Sequence, residues 1–445
     1  MKIAIAGAGQ VGSYLARYLS TENQDIYIVD PDPERLRTLD MDFNLLTVTG
    51  DPVEFSALRD AKADKADMFI AVTPVTSENL VACGMAKSMG ARLTVARVDR
   101  AEYAGPESRE VLARMGVDKV IFPELLASET ILDSLRHPWT RNWYEFPGTG
   151  VVMLAVRVKG DAPISGKPLR ELSMHSGHLH VSAVRRGGRT LIPHGDTIVE
   201  ADDVLYLTTV GDGVQAVKRL AGRREKRIHQ VLISGGGKLT RTLVARGRGE
   251  FSFTILENDV EACRRLTREC PHCRIINGDA SDDGALEQAG LFDSDAFIAL
   301  SESDQSNILD CLSAGEAGVG KRIAEIERDR YLDKAEALGI SSVINKQHIT
   351  ASAIFQLMLD ADAASSKCLP LTDAEVGRLC VVEGSWLSAG MVKDLRLPHE
   401  LTFAAMIRDG HGELVTGSTR LEPGDEVIVF CLSGALHKVE KLFGR

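Results

Sequence analysis

Apolar positions in the first part of the chain fall in short runs, and the runs alternate with stretches of helical spacing. "KIAIA" at residues 2–6 stops at glycines, and "VGSYLARYLS" after it sets Val11, Tyr14, Leu15 and Tyr18 one helical turn apart. The next run, "IYIVD", ends in an acid, and "PDPERLRTLD" then opens on prolines and acids, as helix N-termini do. There follow "NLLTVTGD", a helix through "FSALRDA", "ADMFIAVTP", a helix from Glu78 to Met89, "RLTVARV" and a helix through "SREVLARMG". Strands and helices alternating at such short intervals require a parallel sheet covered on both faces. Residues 1–134 are therefore expected to form a doubly wound α/β domain.

The chain then repeats itself. "VTGDPVEFSAL" from Val48 returns as "INGDASDDGAL" from Ile276, and Asp51 precedes Asn79 by the same 28 positions that separate Asp279 from Asn307. The offset stays close to 228 residues, far longer than the roughly 20–50 of a solenoid unit. A second Rossmann-like domain is expected over 226–360. Residues 135–225 and 361–445 have another texture: "GVVMLAVRV", "VSAVRRGGRTLIPHGD" and "LTFAAMIRDGHGELVTG" alternate apolar and polar residues around Gly-Gly and Pro/Gly turns, which reads as antiparallel hairpins. These segments match each other too, since Gly195 with Gly417 and Asp203 with Asp425 share an offset of 222. The fold class is α/β: two Rossmann-like doubly wound parallel-sheet domains, each followed by a small α+β domain with antiparallel hairpins.

Composition narrows the function. Charged residues at 26% and hydrophobic ones at 44% describe a globular protein, and the net charge of −11 argues against nucleic acid, which needs a concentrated basic face. The basic run "RREKR" from Arg223 falls at a domain junction and reads as a solvated connector. No apolar run approaches the roughly 20 residues of a membrane span, and no leader pattern precedes the first strand, so a cytoplasmic protein is expected. Eight cysteines spread along 445 residues fit reduced thiols. "CPHC" at Cys270 to Cys273 reads as incidental thiols, with redox or metal sensing helped by Cys263 and His272 as the alternative. His175, His178, His180 and His194 cluster in the first small domain without counterparts in the second, and Asp202–Asp203 suits a turn before a strand better than catalysis.

The sharper signal is "GAGQVG". Gly7, Gly9 and Gly12 stand between a strand and a helix, with Asp30 ending the next strand. Such glycines make the tight turn, admit a pyrophosphate to the backbone and let helix pack on strand, while the helix N–H groups face phosphate. Asp30 would accept hydrogen bonds from an adenosine ribose and repel a 2′-phosphate, favouring NAD or ATP over NADP. In the second copy, "GGGKLT" keeps Gly235 and Gly237 but has Thr240 at the third glycine, putting a Cβ at the helix–strand contact. Glu257 keeps an acid for ribose and Lys238 could add a cation, so a weaker or different ligand, or an empty site, is expected there. Arg97, in "VARVDR", aligns with Glu327 in "AEIERDR": an arginine could reach a terminal phosphate of ATP where a glutamate would repel it.

Taken together, "GAGQVG" with Asp30, "TGD" at Asp51, "TPVTSEN" at Thr73 to Asn79, "ARV" at Arg97 and "RRGGRTLIPHGDTIVEADDVLYL" resemble the regulator-of-potassium-conductance (RCK) superfamily. The duplicated arrangement is similar to the cytosolic regulatory subunits of bacterial Trk-type potassium uptake systems. The resemblance implies RCK-N and RCK-C domains in the order N–C–N–C and a non-enzymatic gating subunit. It also implies a homo-oligomeric dimer or tetramer ring on the inner face of a membrane-embedded, TrkH-like potassium pore subunit, responsive to NAD(H), ATP and ADP. It further implies that Gly7, Gly9, Gln10, Val11 and Gly12 bracket phosphates, that Asp30 holds ribose, that Asp51, Thr73 and Asn79 line the adenine side, and that Arg97 senses phosphate. Gly235, Gly237, Lys238, Glu257, Asp279 and Asn307 are the second-copy positions. Two other readings stay open, an NAD-dependent oxidoreductase and a freestanding nucleotide or redox sensor. A dehydrogenase would need a substrate domain bringing an acid or base to the cofactor.

Overall fold

Ile3, Ala4, Ile5 and Ala6 are all buried. Burial of successive residues, rather than alternate ones, is what a strand covered by helices on both faces requires. The computed structural model describes residues 1–20, 24–42, 45–171, 179–223, 227–361, 374–395, 397–432 and 443. Their contacts divide into two compact units, residues 1–127 with 345–358 and residues 128–344 with 359–445.

The first unit is built on one parallel sheet of β1 (Lys2–Ala6), β2 (Asp25–Asp30), β3 (Leu46–Thr49), β4 (Met68–Ala71), β5 (Leu93–Arg97) and β6 (Lys119–Ile121), in the order β3-β2-β1-β4-β5-β6. The order reverses between β1 and β4, and connections leaving those neighbours in opposite directions open a crevice at their carboxyl ends. The helix Thr76–Met89 buries Ala82, Cys83 and Ala86 completely, small side chains that let it lie close on the sheet. A later segment closes this unit. His348 stacks on Tyr14 at 4.4 Å and Phe355 meets Tyr18 edge-on at 5.2 Å. The sequence reading carried the second Rossmann domain to residue 360, whereas packing gives 345–358 to the first unit, because Tyr14 and Tyr18, four positions apart on one helix face, supply the aromatic surface for it.

The second unit contains three sheets. β7 (Asn142–Phe146), β8 (Val151–Arg157), β9 (Leu179–Arg186), β10 (Arg189–Leu191) and β11 (Val204–Val210) form an antiparallel sheet ordered β10-β9-β11-β8-β7. The second parallel sheet, β12 (Gln230–Ser234), β13 (Ser252–Glu257), β14 (Arg274–Asn277), β15 (Ala296–Ala299), β16 (Lys321–Glu325) and β17 (Ser342–Ile344), repeats the first in its order β14-β13-β12-β15-β16-β17. β18 (Ala374–Cys380), β19 (Leu401–Arg408), β20 (His411–Leu414) and β21 (Glu426–Leu432) pair as β18-β21-β19-β20.

The two antiparallel sheets share one core, in which Phe146, Met153 and Tyr206 of the first meet Ile407, Ile428 and Phe430 of the second. His180 Nε2 lies 3.1 Å from Thr402 Oγ1 in that interface. These residues are 222 apart, the offset that relates the modules, so equivalent positions touch, as across an isologous interface. Each module also carries the same ion pair, a partly exposed arginine on a buried aspartate. Arg186 donates from Nε and Nη2 to Asp203 at 2.8 and 2.7 Å, and Arg408 donates to Asp425 at 2.7 and 2.6 Å. Asp203, expected only as a turn residue, is thus a buried anchor. No described helix is long and apolar enough to cross a membrane.

Candidate functional site: two glycine-rich grooves

Gly7 sits at φ +105°, a conformation L-residues rarely adopt, and a Cβ there would lie 3.1 Å from the Thr73 nitrogen. Gly9 has open space where a side chain would be, so a ligand can approach its backbone. A Cβ on Gly12 would run into the Gly7 carbonyl oxygen, which makes that glycine the helix–strand contact. Gln10 opens the helix Gln10–Ser20 on its exposed side, and Val11 is buried beneath. Asp30, 3% exposed, accepts from the Ala8 nitrogen at 2.6 Å and from the Asp32 nitrogen at 2.9 Å. Its carboxylate is therefore aimed at the glycine turn before any ligand arrives.

The remaining first-copy candidates separate into two groups. Asp51 is exposed and caps its own turn, accepting from Val53 N at 2.9 Å. Asn79 is 1% exposed and its side-chain amide is engaged with backbone: Oδ1 accepts from Thr73 N at 2.9 Å, and Nδ2 donates to the Thr73 and Arg97 carbonyls at 3.0 and 2.9 Å. It ties the carboxyl ends of β4 and β5 together, which shapes the crevice rather than offering it a free amide. Thr73 Oγ1 donates to Glu78 Oε2 at 3.1 Å. The Arg97 side chain is half-buried and makes no hydrogen bond or ion pair with the described residues.

The second groove is a cavity of about 1120 Å³, lined by Gly235, Gly236, Gly237, Glu257, Asp279 and Ser301 among others. Gly235 repeats the positive φ at +98°. Glu257 accepts from Gly236 N at 2.7 Å and Asp259 N at 2.8 Å, the same bonds that Asp30 makes. Glutamate is one methylene longer, and the loop compensates with Gly236 in place of Ala8: a Cβ at Gly236 would lie 3.0 Å from Glu257 Oε2 and would clash with Leu266 Cδ1. Thr240 is accommodated likewise. Fully buried, it donates its hydroxyl to the Gly235 carbonyl at 2.6 Å, turning the expected steric obstacle into a hydrogen bond. Asn307 repeats the Asn79 tie, bonding Ser301 N and the Ser301 and Glu325 carbonyls. Asp279 is exposed, and hydrogen bonds from the Ser281 backbone and side chain hold its carboxyl below the usual range.

Two expectations change. Arg97 pairs with Ile121 across β5–β6, and Glu325 pairs with Ile344 across β16–β17, so the counterpart of Arg97 is Glu325 and not Glu327. Glu327 matches Asp99, since the N–H of each is held by the side chain that opens the preceding helix, Asp304 or Thr76. The charge reversal survives at another residue. Lys238 opens the helix Lys238–Arg246 without lining the cavity, where the cations are Arg241 and Arg265. Sequence reading missed Ser234, Glu302 and Asp310 on the cavity wall; alignment of the repeats marks them, because their first-copy counterparts are Ala6, Pro74 and Ala82.

The other candidate chemistry is inert or lies elsewhere. Burial pushes the Cys273 thiol up to about 11 and raises those of Cys263 and Cys270, which keeps them protonated and unreactive near neutrality. His194 is exposed, His180 lies in the module interface, and His175 and His178 lie outside the described residues. No group of His, Cys, Asp and Glu suited to a metal occurs among the described residues.

These features define a tandemly duplicated Rossmann protein in which each glycine turn faces an acid at the end of the neighbouring strand. Comparison then gives the family. The TrkA-N domain model matches residues 3–123 and 231–346, and the TrkA-C domain model matches 153–222 and 378–444. The chain is 31% identical over 454 residues to the Trk system potassium uptake protein TrkA of Vibrio alginolyticus, covering 100% of this chain and 98% of that one. It is 29% identical to the Trk system potassium uptake protein TrkA homolog of Archaeoglobus fulgidus, with both chains fully covered. The chain belongs to the TrkA family of Trk-system potassium uptake proteins. Among solved structures, the GsuK RCK domain aligns with a TM-score of 0.62 at 19% identity, covering 99% of this chain and 94% of that one. The GsuK channel bound to NAD aligns at 0.61 and 18%, covering 99% and 78%. Those likenesses establish an RCK-type fold.

Proposed function

We propose that this chain is the nucleotide-sensing regulatory subunit of a Trk-type potassium uptake system. The observation that carries the reading is the pre-aimed acid at each glycine turn, Asp30 on Ala8 N and Glu257 on Gly236 N, repeated within one chain of the TrkA family. An acid held this way keeps acceptor capacity for a ribose diol while backbone N–H groups of the turn meet phosphate. NAD(H), ATP and ADP are the ligands proposed, and a fold neighbour described as bound to NAD supports the dinucleotide. Along the sequence the domains are proposed to run 1–134, 135–225, 226–360 and 361–445, in the order N–C–N–C, with residues 345–358 of the third packed into the first unit.

Several copies would assemble as a ring on the cytoplasmic side of a TrkH-like potassium pore subunit, with no chemistry performed on the nucleotide. A ligand shifts such an assembly only through its different affinity for two shapes, and coupling of about 1–3 kcal/mol is usual. Arg97 supplies a means: a cation without a described partner responds to how many phosphates the ligand carries. The test is titration of the full chain with ATP, ADP and NADH beside its Asp30→Ala variant, paired with potassium uptake in cells lacking the native subunit. Loss of ATP and ADP affinity at the first groove together with loss of the uptake response to those nucleotides is the expected result; unchanged affinity for both in the variant would refute the assignment.

A further inference from the structure

The two grooves descend from one sequence, so positions where they differ report what each has been built to hold. Four of the differences lie where the strand order reverses, between β12 and β15. There the first copy has Ala6, Pro74, Ala82 and Met85, and the second has Ser234, Glu302, Asp310 and Ser313, all four of which line the cavity. Asp310 accepts from Ser234 Oγ at 3.2 Å at the end of β12. Burial and the nearby Asp279 raise its carboxyl to about 6, so near neutrality it is an ionised group that a cation would stabilise. The cavity offers it little of that: among the described lining residues the cations are Arg241, drawn off to Glu269 at 3.0 Å, and Arg265, against six carboxylates. At the adjoining strand end Glu325 stands where the first copy has Arg97.

We propose that the second groove is selective for an adenine dinucleotide in its oxidised, pyridinium form, with Asp310 as the residue that reads the charge. This rests on the reading of the grooves as nucleotide sites. The adenosine half lies on the glycine turn with its ribose at Glu257. The other half crosses the point of strand-order reversal, as dinucleotides do in this fold, and there it meets Ser234 and Asp310. A pyridinium ring is positive and gains from the carboxylate; a dihydronicotinamide is neutral and gains nothing. A triphosphate tail entering the same acidic corner is repelled. The first groove has Ala6, Ala82 and Met85 at this corner, holds Glu78 in a hydrogen bond from Thr73 Oγ1 and is provided with Arg97, so it suits ATP or ADP, and one chain would report phosphorylation state and redox state at separate sites.

The experiment is isothermal titration of the full chain with NAD⁺, NADH and ATP, using wild type, Asp30→Ala, Glu257→Ala and Asp310→Asn. Expected is an NAD⁺ site that survives Asp30→Ala, disappears in Glu257→Ala, and binds NAD⁺ about tenfold tighter than NADH, a modest ratio for a partly buried charge contact. Asp310→Asn should bring NAD⁺ down to the NADH affinity and leave NADH unchanged. Asp310→Ala, which installs the residue that the first copy carries, should do the same and guards against a folding defect specific to asparagine. Equal affinities for NAD⁺ and NADH at the Glu257-dependent site, or an unaltered ratio in both Asp310 variants, overturns the proposal while leaving a nucleotide site in place. If Glu257→Ala affects no ligand, the nucleotide reading of this groove falls with it.

Discussion

Thr240 donates its hydroxyl to the Gly235 carbonyl at 2.6 Å, at the contact where Gly12 in the first copy has no room for a Cβ against Gly7. The same helix–strand junction is therefore closed by absence of a side chain in one copy and by a hydrogen bond in the other. Thr240→Ala should cost about 1–2 kcal/mol, since the buried Gly235 carbonyl loses that donor. Gly12→Ala should cost at least as much and weaken nucleotide binding by moving the turn. Chemical denaturation of both variants, with ligand titration of the second, checks the asymmetry.

Exchange of the strand-end charges separates the grooves. Arg97→Glu is expected to reduce affinity for ATP by about tenfold or more while ADP changes less, given the several kcal/mol that a charge-assisted phosphate contact can contribute in a partly buried site. Titration with both nucleotides decides it, and equal losses would remove Arg97 from the sensing role.

The repeated ion pairs anchor both small modules. Arg408 donates two hydrogen bonds to Asp425, and although burial alone would raise the carboxyl, the arginine keeps it below its ordinary value. Arg408→Ala or Arg186→Ala leaves a buried carboxylate without its guanidinium. Each should destabilise by about 2 kcal/mol, between the values for exposed and for fully buried pairs, because both arginines are about a third exposed. Asp→Asn at 203 or 425 should be milder, and melts of the four variants test the order.

Buried bases make stability depend on pH on two sides. Burial lowers His180 to about 4 from the usual 6.5, so below 6.5 the unfolded chain binds the proton and the folded chain does not. Stability should thus fall as pH drops from 6.5 to 4, by about 1.4 kcal/mol per unit at most for this residue. Lys321, 3% exposed and bonded to the Thr140 carbonyl and Ser342 Oγ at 3.3 and 3.1 Å, is lowered to about 7 by burial and by Arg141. Its contribution declines from pH 10.5 down to 7 and is flat below. Urea midpoints across pH 4 to 10 should show both slopes, with His180→Gln flattening the acid one and Lys321→Met the alkaline one.

Much of the fold was legible because its local rules agree. Apolar runs ending in "GAG" or "SGG", an acid closing the next strand and a helix-spaced segment after each run specify strand, turn and helix without long-range information. Gly7, Asp30, Gly235 and Glu257 came together as expected because their positions follow from adjacency of β1 with β2 and of β12 with β13. Asn79 and Asn307 were legible as conspicuous but not in role, since whether an amide faces a groove or two carbonyls depends on the neighbouring strand. Register was not legible either: Glu325 and Glu327 both suit the end of a strand, and only pairing with Ile344 chose between them.

By itself the sequence determined the duplication, the alternation of strands and helices, the glycine turns and the identity of each charge, all properties carried by neighbours along the chain. Tertiary structure alone decided that His348 stacks on Tyr14, that His180 meets Thr402 across two modules, and that Asp310 lies beside Ser234 on a cavity wall. Those contacts join residues 76 to 334 positions apart. Their formation rests on which surfaces exclude water together once the sheets exist, a quantity that no local pattern encodes.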